Sequence, residues 1–353
     1  MDEGCKPYWV DGFIDTPIGK IRRINTSLIA RDKIDGYKVR WGINRYSFTV
    51  SPGLYAVGNP DDTAPVLVTA NYKLTFDILR KELYNQNLWL IVLDTKGINV
   101  WCAAGKGTFG TNELSNRINR LQLDKVVSHR TIIVPQLGAP GVAGHEVTKN
   151  TGFKIVYGPV RAADIREFLG NGLKTTPEMR EVRFSCRDRL ILTPMEMIPS
   201  LKYLVIVFVL LFLLNLINPR GFDFLNTVKV SIINFIPYLG AFLIGTLFVP
   251  LLLPYIPFRS FAMKGLTLGA IWTMIYIKIN GVFLFPDSQL VIAGNTLLLL
   301  SISTYLALNF TGSSTYTSLS GTLKETIVTV PIAALASIVG IGLLVASKIL
   351  NFG

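Results

Sequence analysis

Histidine and cysteine are what this 353-residue chain has least of, and acid is scarce beside base. Its three cysteines (Cys5, Cys102, Cys186) are far apart and odd in number, so they form no disulfide framework. With only two histidines, His129 and His145, no Cys pair or Cys/His cluster has the spacing of a zinc site. The start, Met1-Asp-Glu-Gly-Cys-Lys, has no apolar run, so no secretory leader is expected and the thiols should be reduced. Acid is scarcest past residue 200, where eight Lys and Arg face only Asp223, Asp287 and Glu325. What the chain does have is grease: 50% of it is apolar and 16% charged, with mean hydropathy +0.42. That excludes disorder and is too apolar for one soluble globule. The net charge of +12 does not require nucleic acid, because Lys and Arg alternate with acids through the first half. An anionic membrane surface accounts for it, and no nucleic-acid partner is expected.

Three segments are expected: a β-rich stretch at 1–60, an α/β domain at 61–195, and an all-α transmembrane domain at 196–353. The last holds five apolar runs, at about 201–217, 230–253, 261–279, 290–310 and 326–349. Each approaches the ~20 residues that cross about 30 Å of hydrocarbon. Lys264 and Lys278, near the ends of the third, are expected to snorkel to the interface. Arg180, Arg183, Arg187, Arg189 and Lys202 precede the first run, against Arg220 and Lys229 after it. The positive-inside rule then places the first 200 residues in the cytoplasm, on a multi-pass protein of the inner (cytoplasmic) membrane. Five spans would put Gly353 outside. All three acids fall in expected loops, so no carboxylate is expected at mid-membrane depth. Gly265-Leu-Thr-Leu-Gly269 and Ala336-x-x-x-Gly340 are small-residue pairs suited to close helix packing. The helices read as anchorage, with a substrate conduit as the alternative.

In the first half, Tyr37–Trp41 and Tyr46–Val50 flank Gly42-Ile-Asn44 and suggest a β-hairpin. Val66–Ala70, Leu88–Asp94, Thr131–Pro135 and Lys154–Tyr157 read as strands, alternating with helical patterns through Leu74–Leu83, Leu114–Leu121 and Ala162–Leu169. Such alternation implies a Rossmann-like, doubly wound sheet whose ligand lies at the carboxyl ends of the strands. The loops to watch are therefore 70–72, 94–110, 135–145 and 158–161.

Residues 99–110, Asn99-Val-Trp-Cys-Ala-Ala-Gly-Lys-Gly-Thr-Phe-Gly110, contain two false leads. A P-loop would need Gly at position 100 and Ser or Thr after Lys106, where Val100 and Gly107 stand. Gly105-x-Gly107-x-x-Gly110 fits a dinucleotide fingerprint, but the preceding strand ends near Asp94, too early for a tight strand–turn–helix junction. Asn99 reads instead as the N-cap of a very short helix ended by Gly105, with Cys102 in its first turn. A cysteine placed there suits a soft metal, although on the residues alone a buried structural cysteine is the favoured reading. Thr69, Asn71 and Thr75 could hydrogen-bond a large ligand. Gly138, Gly141 and Gly144 could let backbone approach one, or could simply form a β–α turn.

Asn99-Val-Trp-Cys-Ala-Ala-Gly-Lys106 resembles the signature of the corrinoid protein of microbial mercury methylation, the HgcA family, whose soluble part is similar to the corrinoid domain of the corrinoid iron–sulfur protein large subunit. That resemblance implies a cobalamin in the Rossmann-like domain, contacted by Asn99, Val100, Trp101, Cys102, Ala103, Ala104, Gly105, Lys106 and Gly107. It implies Cys102 as the lower axial ligand to cobalt. It also implies a methyltransferase that passes a methyl group from methyl-Co(III) corrinoid to inorganic Hg(II), giving methylmercury. A ferredoxin-like partner with two [4Fe–4S] clusters would reduce the cobalt, and the methyl donor is left unknown. The base-off motif Asp-x-His-x-x-Gly is absent, since Val127 and Ala143 stand two residues before the histidines. A membrane-bound dinucleotide oxidoreductase and a non-catalytic receptor or transporter are the alternatives.

Overall fold

The computed structural model describes residues 7–45, 47–216, 223–280 and 289–350. The chain divides into two compact units, Met1–Val182 and Arg183–Gly353. Cys5, Tyr46, Gly353 and the expected breaks at 218–221 and 285–287 lie outside the described residues.

In the first unit, strands β1 (Val10–Thr16) and β2 (Gly19–Ile24) pair antiparallel and are followed by helix α1 (Ala30–Arg40) and strand β3 (Gly53–Val57). The α/β alternation then runs β4 (Val66–Ala70), α2 (Lys73–Glu82), β5 (Leu88–Leu93), α3 (Val100–Gly105), α4 (Thr111–Arg120), β6 (Thr131–Val134), α5 (Gly144–Thr151), β7 (Lys154–Tyr157), α6 (Ile165–Gly170) and α7 (Pro177–Arg180). One seven-stranded sheet results, in the order β1-β2-β3-β5-β4-β6-β7. The four strands β5, β4, β6 and β7 are mutually parallel, as the alternation predicts. β3 runs antiparallel to β5, so the sheet as a whole is mixed and the N-terminal strands extend it rather than stand apart.

Every residue of β4 and β5 is buried, because helices cover both faces. Strand alternation sorts them: Trp89, Ile91 and Leu93 pack with Ala103, Phe109 and Leu114 on one face. Leu88, Leu90 and Val92 pack with Phe76, Leu79 and Phe168 on the other. Each such side chain contributes about 1.5–3 kcal/mol of burial.

The hairpin expected over 37–50 is absent; Tyr37–Trp41 instead finish α1 and its C-cap. The helix eluded the apolar periodicity because its buried face is Asp32, Gly36 and Val39. Asp32 is held by a buried quartet of charges. Its carboxylate pairs with Arg80 at 2.7 Å and Lys73 at 3.2 Å, while Asp77 pairs with Lys73 at 2.5 Å and Arg80 at 2.8 Å. Arg80 also donates to the carbonyls of Asn25 and Ser27. Burial opposes ionisation of Asp32, but hydrogen bonds from Tyr8, Arg80 and the Ile29 N–H outweigh it and hold the carboxyl below its usual range.

The second unit is helical: α8 (Cys186–Leu216), α9 (Phe224–Leu243), a π-helical turn (Ile244–Phe248), α10 (Val249–Leu252), α11 (Phe261–Asn280), α12 (Gln289–Asn309) and α13 (Leu319–Leu350). Among the described residues four helices are long and apolar enough to cross a membrane: Cys186–Leu216, Phe224–Leu252, Gln289–Ser313 and Ser320–Leu350. Five were expected. The third run does form α11, but it is not one of the four, since Lys264 and Lys278 dilute its apolar content. The odd count that placed Gly353 outside therefore loses its basis. Lys264 does not snorkel: it is buried and donates to the Leu253 and Ile256 carbonyls just past α10. Nor does Glu325 lie in a loop. It stands on α13, and its carboxylate accepts from the Phe261 and Ala262 N–H groups that open α11. The first helix begins 15 residues before the expected span, at a Ser185-x-x-Asp188 cap in which Asp188 accepts from the Ser185 N–H and hydroxyl. Gly265 and Gly269 bring α11 against Ser303 and Ala307 of α12, and Gly340 of α13 meets Gly294 of α12. These are the close approaches that small-residue pairs permit.

Candidate functional site

The parallel part of the sheet reverses direction at one place. β4 leads through α2 to β5 on one side of it, and the chain then crosses to β6 on the other. Ligands of open α/β sheets bind in the crevice outside the carboxyl ends at such a switch point. A cavity of about 350 Å³ lies there. Thr69 of β4, Thr75, Ile78 and Leu79 of α2, and Asn99, Val100 and Trp101 at the start of α3 form part of its wall. Pro135 and Leu137 after β6, with Gly158, Pro159 and Val160 after β7, complete the expected loops. Ile78, Leu79, Ala162 and Ile165 also line it and were not singled out from the sequence. Ile78 is 44% exposed, an apolar side chain left at an open mouth.

Helix α3 sits at this mouth. Asn99 is its N-cap, in extended conformation, and its Oδ1 accepts from the Cys102 N–H at 2.9 Å. The preferred capping residue thus fixes Cys102 as the third helical residue, where it is half-buried. Ala103 and Ala104 are buried against the sheet, whereas Trp101 is 41% exposed. The helix ends at Gly105, as expected, and the left-handed residue follows at Gly107, at φ +79°. A side chain added at Gly105 or Gly107 would meet nothing within 4 Å, so both border open space, as does exposed Lys106.

The other glycines differ. A Cβ on Gly138 would lie 2.4 Å from the Phe109 ring, and one on Gly141 would lie 2.1 Å from the Phe109 carbonyl oxygen and 3.0 Å from the Ala104 Cα. One on Gly144 would crowd Ile155. These three let the segment after β6 press on the protein itself, and none lines the cavity. Asn71 is likewise engaged by protein. Its Oδ1 accepts from the Thr95 N–H, the Thr95 hydroxyl and the Gly97 N–H, and its Nδ2 donates to Asp94. It ties the end of β4 to the loop that leads into α3. Beside it, a hydrogen bond from Lys96 holds the Asp94 carboxyl below its ordinary range. Of the sequence-derived candidates the cavity therefore gathers Thr69, Thr75, Asn99, Val100 and Trp101. Cys102, Ala103, Ala104, Gly105, Lys106 and Gly107 continue the same helix and its exit, outside the lining.

The remaining heteroatom donors are elsewhere. His129 precedes β6, at the opposite pole of the sheet, with Nε2 bonded to the Ala64 carbonyl and Nδ1 accepting from the Thr131 N–H. His145 is exposed on α5 and Cys186 is exposed at the start of α8. Among the described residues no three of His, Cys, Asp and Glu cluster as a metal-holding group.

Residues 44–169 match the family model of the CO dehydrogenase/acetyl-CoA synthase delta subunit. That stretch spans β3 to α6 and so contains the whole parallel sheet and its crevice. The chain is 32% identical over 122 residues to the acetyl-CoA decarbonylase/synthase complex subunit gamma of Methanopyrus kandleri, covering 34% of this chain and 26% of that protein. It is 34% identical over 124 residues to the same subunit of Methanocaldococcus jannaschii, covering 35% and 25%. It is 28% identical over 135 residues to the corrinoid/iron-sulfur protein large subunit of Moorella thermoacetica, covering 36% and 30%. The chain thus matches only about a quarter to a third of these relatives' length.

Proposed function

We propose that the chain is a membrane-anchored, corrinoid-dependent methyltransferase that passes a methyl group to inorganic Hg(II), and that its first unit holds the corrinoid at the switch-point crevice. The observation that carries this reading is the Asn99-capped α3, which sets Cys102 directly after the Asn99–Trp101 segment that lines the cavity. The similarity to a corrinoid/iron-sulfur large subunit supports the cofactor class, and the resemblance of residues 99–106 to the mercury-methylation signature supports the acceptor.

The residues fit such a group. With no three-residue metal cluster among the described residues, a metal here must bring most of its own ligands, as a corrin does, and needs one donor from the protein. Cys102, half-buried at the third position of α3, would be that donor. Asn99 holds its backbone, and the Thr69 and Thr75 hydroxyls on the cavity wall supply hydrogen bonds to a cofactor rich in amides. The apolar side chains Ile78, Leu79 and Val160 exclude water from the same wall. Gly105 and Gly107, which follow Cys102 on the same segment, border open space. When bound, the corrinoid supplies a cobalt that carries the methyl group and must be re-reduced after use. A sulfur donor from Cys102 would enrich such a metal in electron density, which would suit methyl transfer to a soft electrophile and would call for a strong reductant. The electrons are therefore assigned to a ferredoxin-like partner with two [4Fe–4S] clusters. The four apolar helices anchor the chain in the cytoplasmic membrane with the first unit inside.

Purified full-length protein loaded with cobalamin is expected to show absorption bands that shift in Cys102→Ala, with loss of Hg(II) methylation and no change in folding. Wild-type methylation by Cys102→Ala, or failure of the protein to retain cobalamin, would overturn the reading.

A further inference from the structure

Helix α1 is amphipathic the wrong way round. Its inward face carries Asp32, Gly36 and Val39, while its apolar residues point away from the protein. At about 100° per residue, Ile34, Tyr37 and Trp41 form one outward ridge, exposed by 53%, 60% and 46%. Ile29 and Ile43, just outside the two ends of the helix, are also exposed, by 48% and 46%. Arg31 and Lys38 flank the ridge on one side, Lys33 and Arg40 on the other. The outward acid between them, Asp35, lies 3.8 Å from both Arg31 and Lys38. The orientation is enforced from beneath, since Asp32 is locked into the buried ion pairs with Lys73 and Arg80. Burial therefore cannot be what the ridge residues were placed for within this unit.

An apolar ridge of Ile, Tyr and Trp between two rails of Lys and Arg matches a bilayer interface, where aromatic rings settle at headgroup depth and cations meet anionic phosphates. Two further features point the same way. The apolar helices of the second unit are long enough to put a bilayer within reach of this polypeptide, and the stretch that matches the family model starts at residue 44, so α1 lies outside it. We propose that the outer face of α1 docks on the surface of an anionic phospholipid membrane, with Trp41 and Ile34 entering the headgroup layer and the four flanking cations on lipid phosphates. This rests on the membrane reading of the second unit, and the test separates the two.

The full-length chain is reconstituted in nanodiscs of phosphatidylglycerol and phosphatidylcholine, with bromine on the acyl chains as a contact quencher. The emission of Trp41 is taken as the difference between wild type and Trp41→Phe, and that of Trp272 in α11 as the difference from Trp272→Phe. Brominated anionic lipid is expected to remove most of the Trp41 emission, and both phosphatidylcholine alone and Lys33→Glu with Lys38→Glu are expected to restore it. Quenching of Trp272 without quenching of Trp41 would overturn the docking face and leave the ridge to an acidic protein. Absence of Trp41 quenching overturns the docking face whatever Trp272 does, and release of the chain from the bilayer by alkali would remove the membrane reading as well.

Discussion

Strand β5 and helix α8 are built from the same kinds of residue and end in opposite surroundings. In β5, Leu88, Leu90, Ile91, Val92 and Leu93 are wholly buried, because a sheet strand presents both faces to covering helices. In α8, Val205, Ile206 and Leu213 are exposed by 63%, 53% and 50%, although its backbone bonds are satisfied within the helix itself. Six apolar residues suffice for a strand core, whereas an apolar helix left this bare is long and apolar enough to cross a membrane. Hydrophobicity alone does not separate the two; length and the availability of partners do.

A carboxylate placed in each run tests that contrast. Ile91→Asp is expected to unfold the first unit, because nothing near it can pair a charge. Val205→Asp should leave that unit folded and instead penalise membrane insertion by about 3 kcal/mol at mid-span. Far-ultraviolet circular dichroism, Trp89 fluorescence and resistance to alkaline extraction report the two outcomes. Extraction of the unaltered chain by alkali would break the comparison.

Charge can nonetheless be buried in the first unit where it is fully paired. Arg80→Met strands Asp32 and Asp77 and is expected to cost about 3–5 kcal/mol in denaturant unfolding. The pH dependence follows from Asp32, whose folded pKa is depressed. Its contribution is present above the unfolded value of about 3.9 and is lost as pH falls through the folded value. Asp32→Asn should flatten that acid slope. A slope unchanged in Asp32→Asn would assign the acid sensitivity to other carboxylates.

The sequence showed the parallel strands and the apolar runs plainly, because continuous apolar stretches and their spacing leave few choices. It showed the α3 cap too, since Asn99 followed by a short apolar run and glycines is a local signal. What it concealed depends on distant partners. Asp32, Lys73, Asp77 and Arg80 look like solvent-facing charges, and only the i,i+4 and i,i+3 spacing within α2 hints that they share one cluster. α1 looked like a hairpin because its outward residues are the β-prone Ile, Tyr and Trp. Gly138 and Gly141 looked free to face a ligand, but the fold sets Phe109 behind them. The cavity itself draws on Ile78 and Ile165, from helices on either side of the sequence candidates, and no local pattern joins those residues.

Smaller effects distinguish the two kinds of glycine. Gly141→Ala is expected to cost about 1–3 kcal/mol through its clash with the Phe109 carbonyl. Gly105→Ala should stabilise the apoprotein slightly, by about 0.5–1 kcal/mol, as alanine does in a helix. Thermal unfolding with and without cobalamin would show whether the methyl group added at position 105 also weakens the bound state. Asn99→Ala should cost about 1 kcal/mol, seen as faster hydrogen exchange at the Cys102 amide while the global melting temperature hardly changes.

Asn71 gives the architecture a mechanical consequence. Because one carboxamide clasps three donors in the stretch that feeds α3, the tip of a rigid central strand works as a latch on a six-residue helix that is too short to hold its own place. Any shortening or slippage of that strand tip would travel on to α3, so the bedrock of the domain and its fringe are adjusted by the same screw.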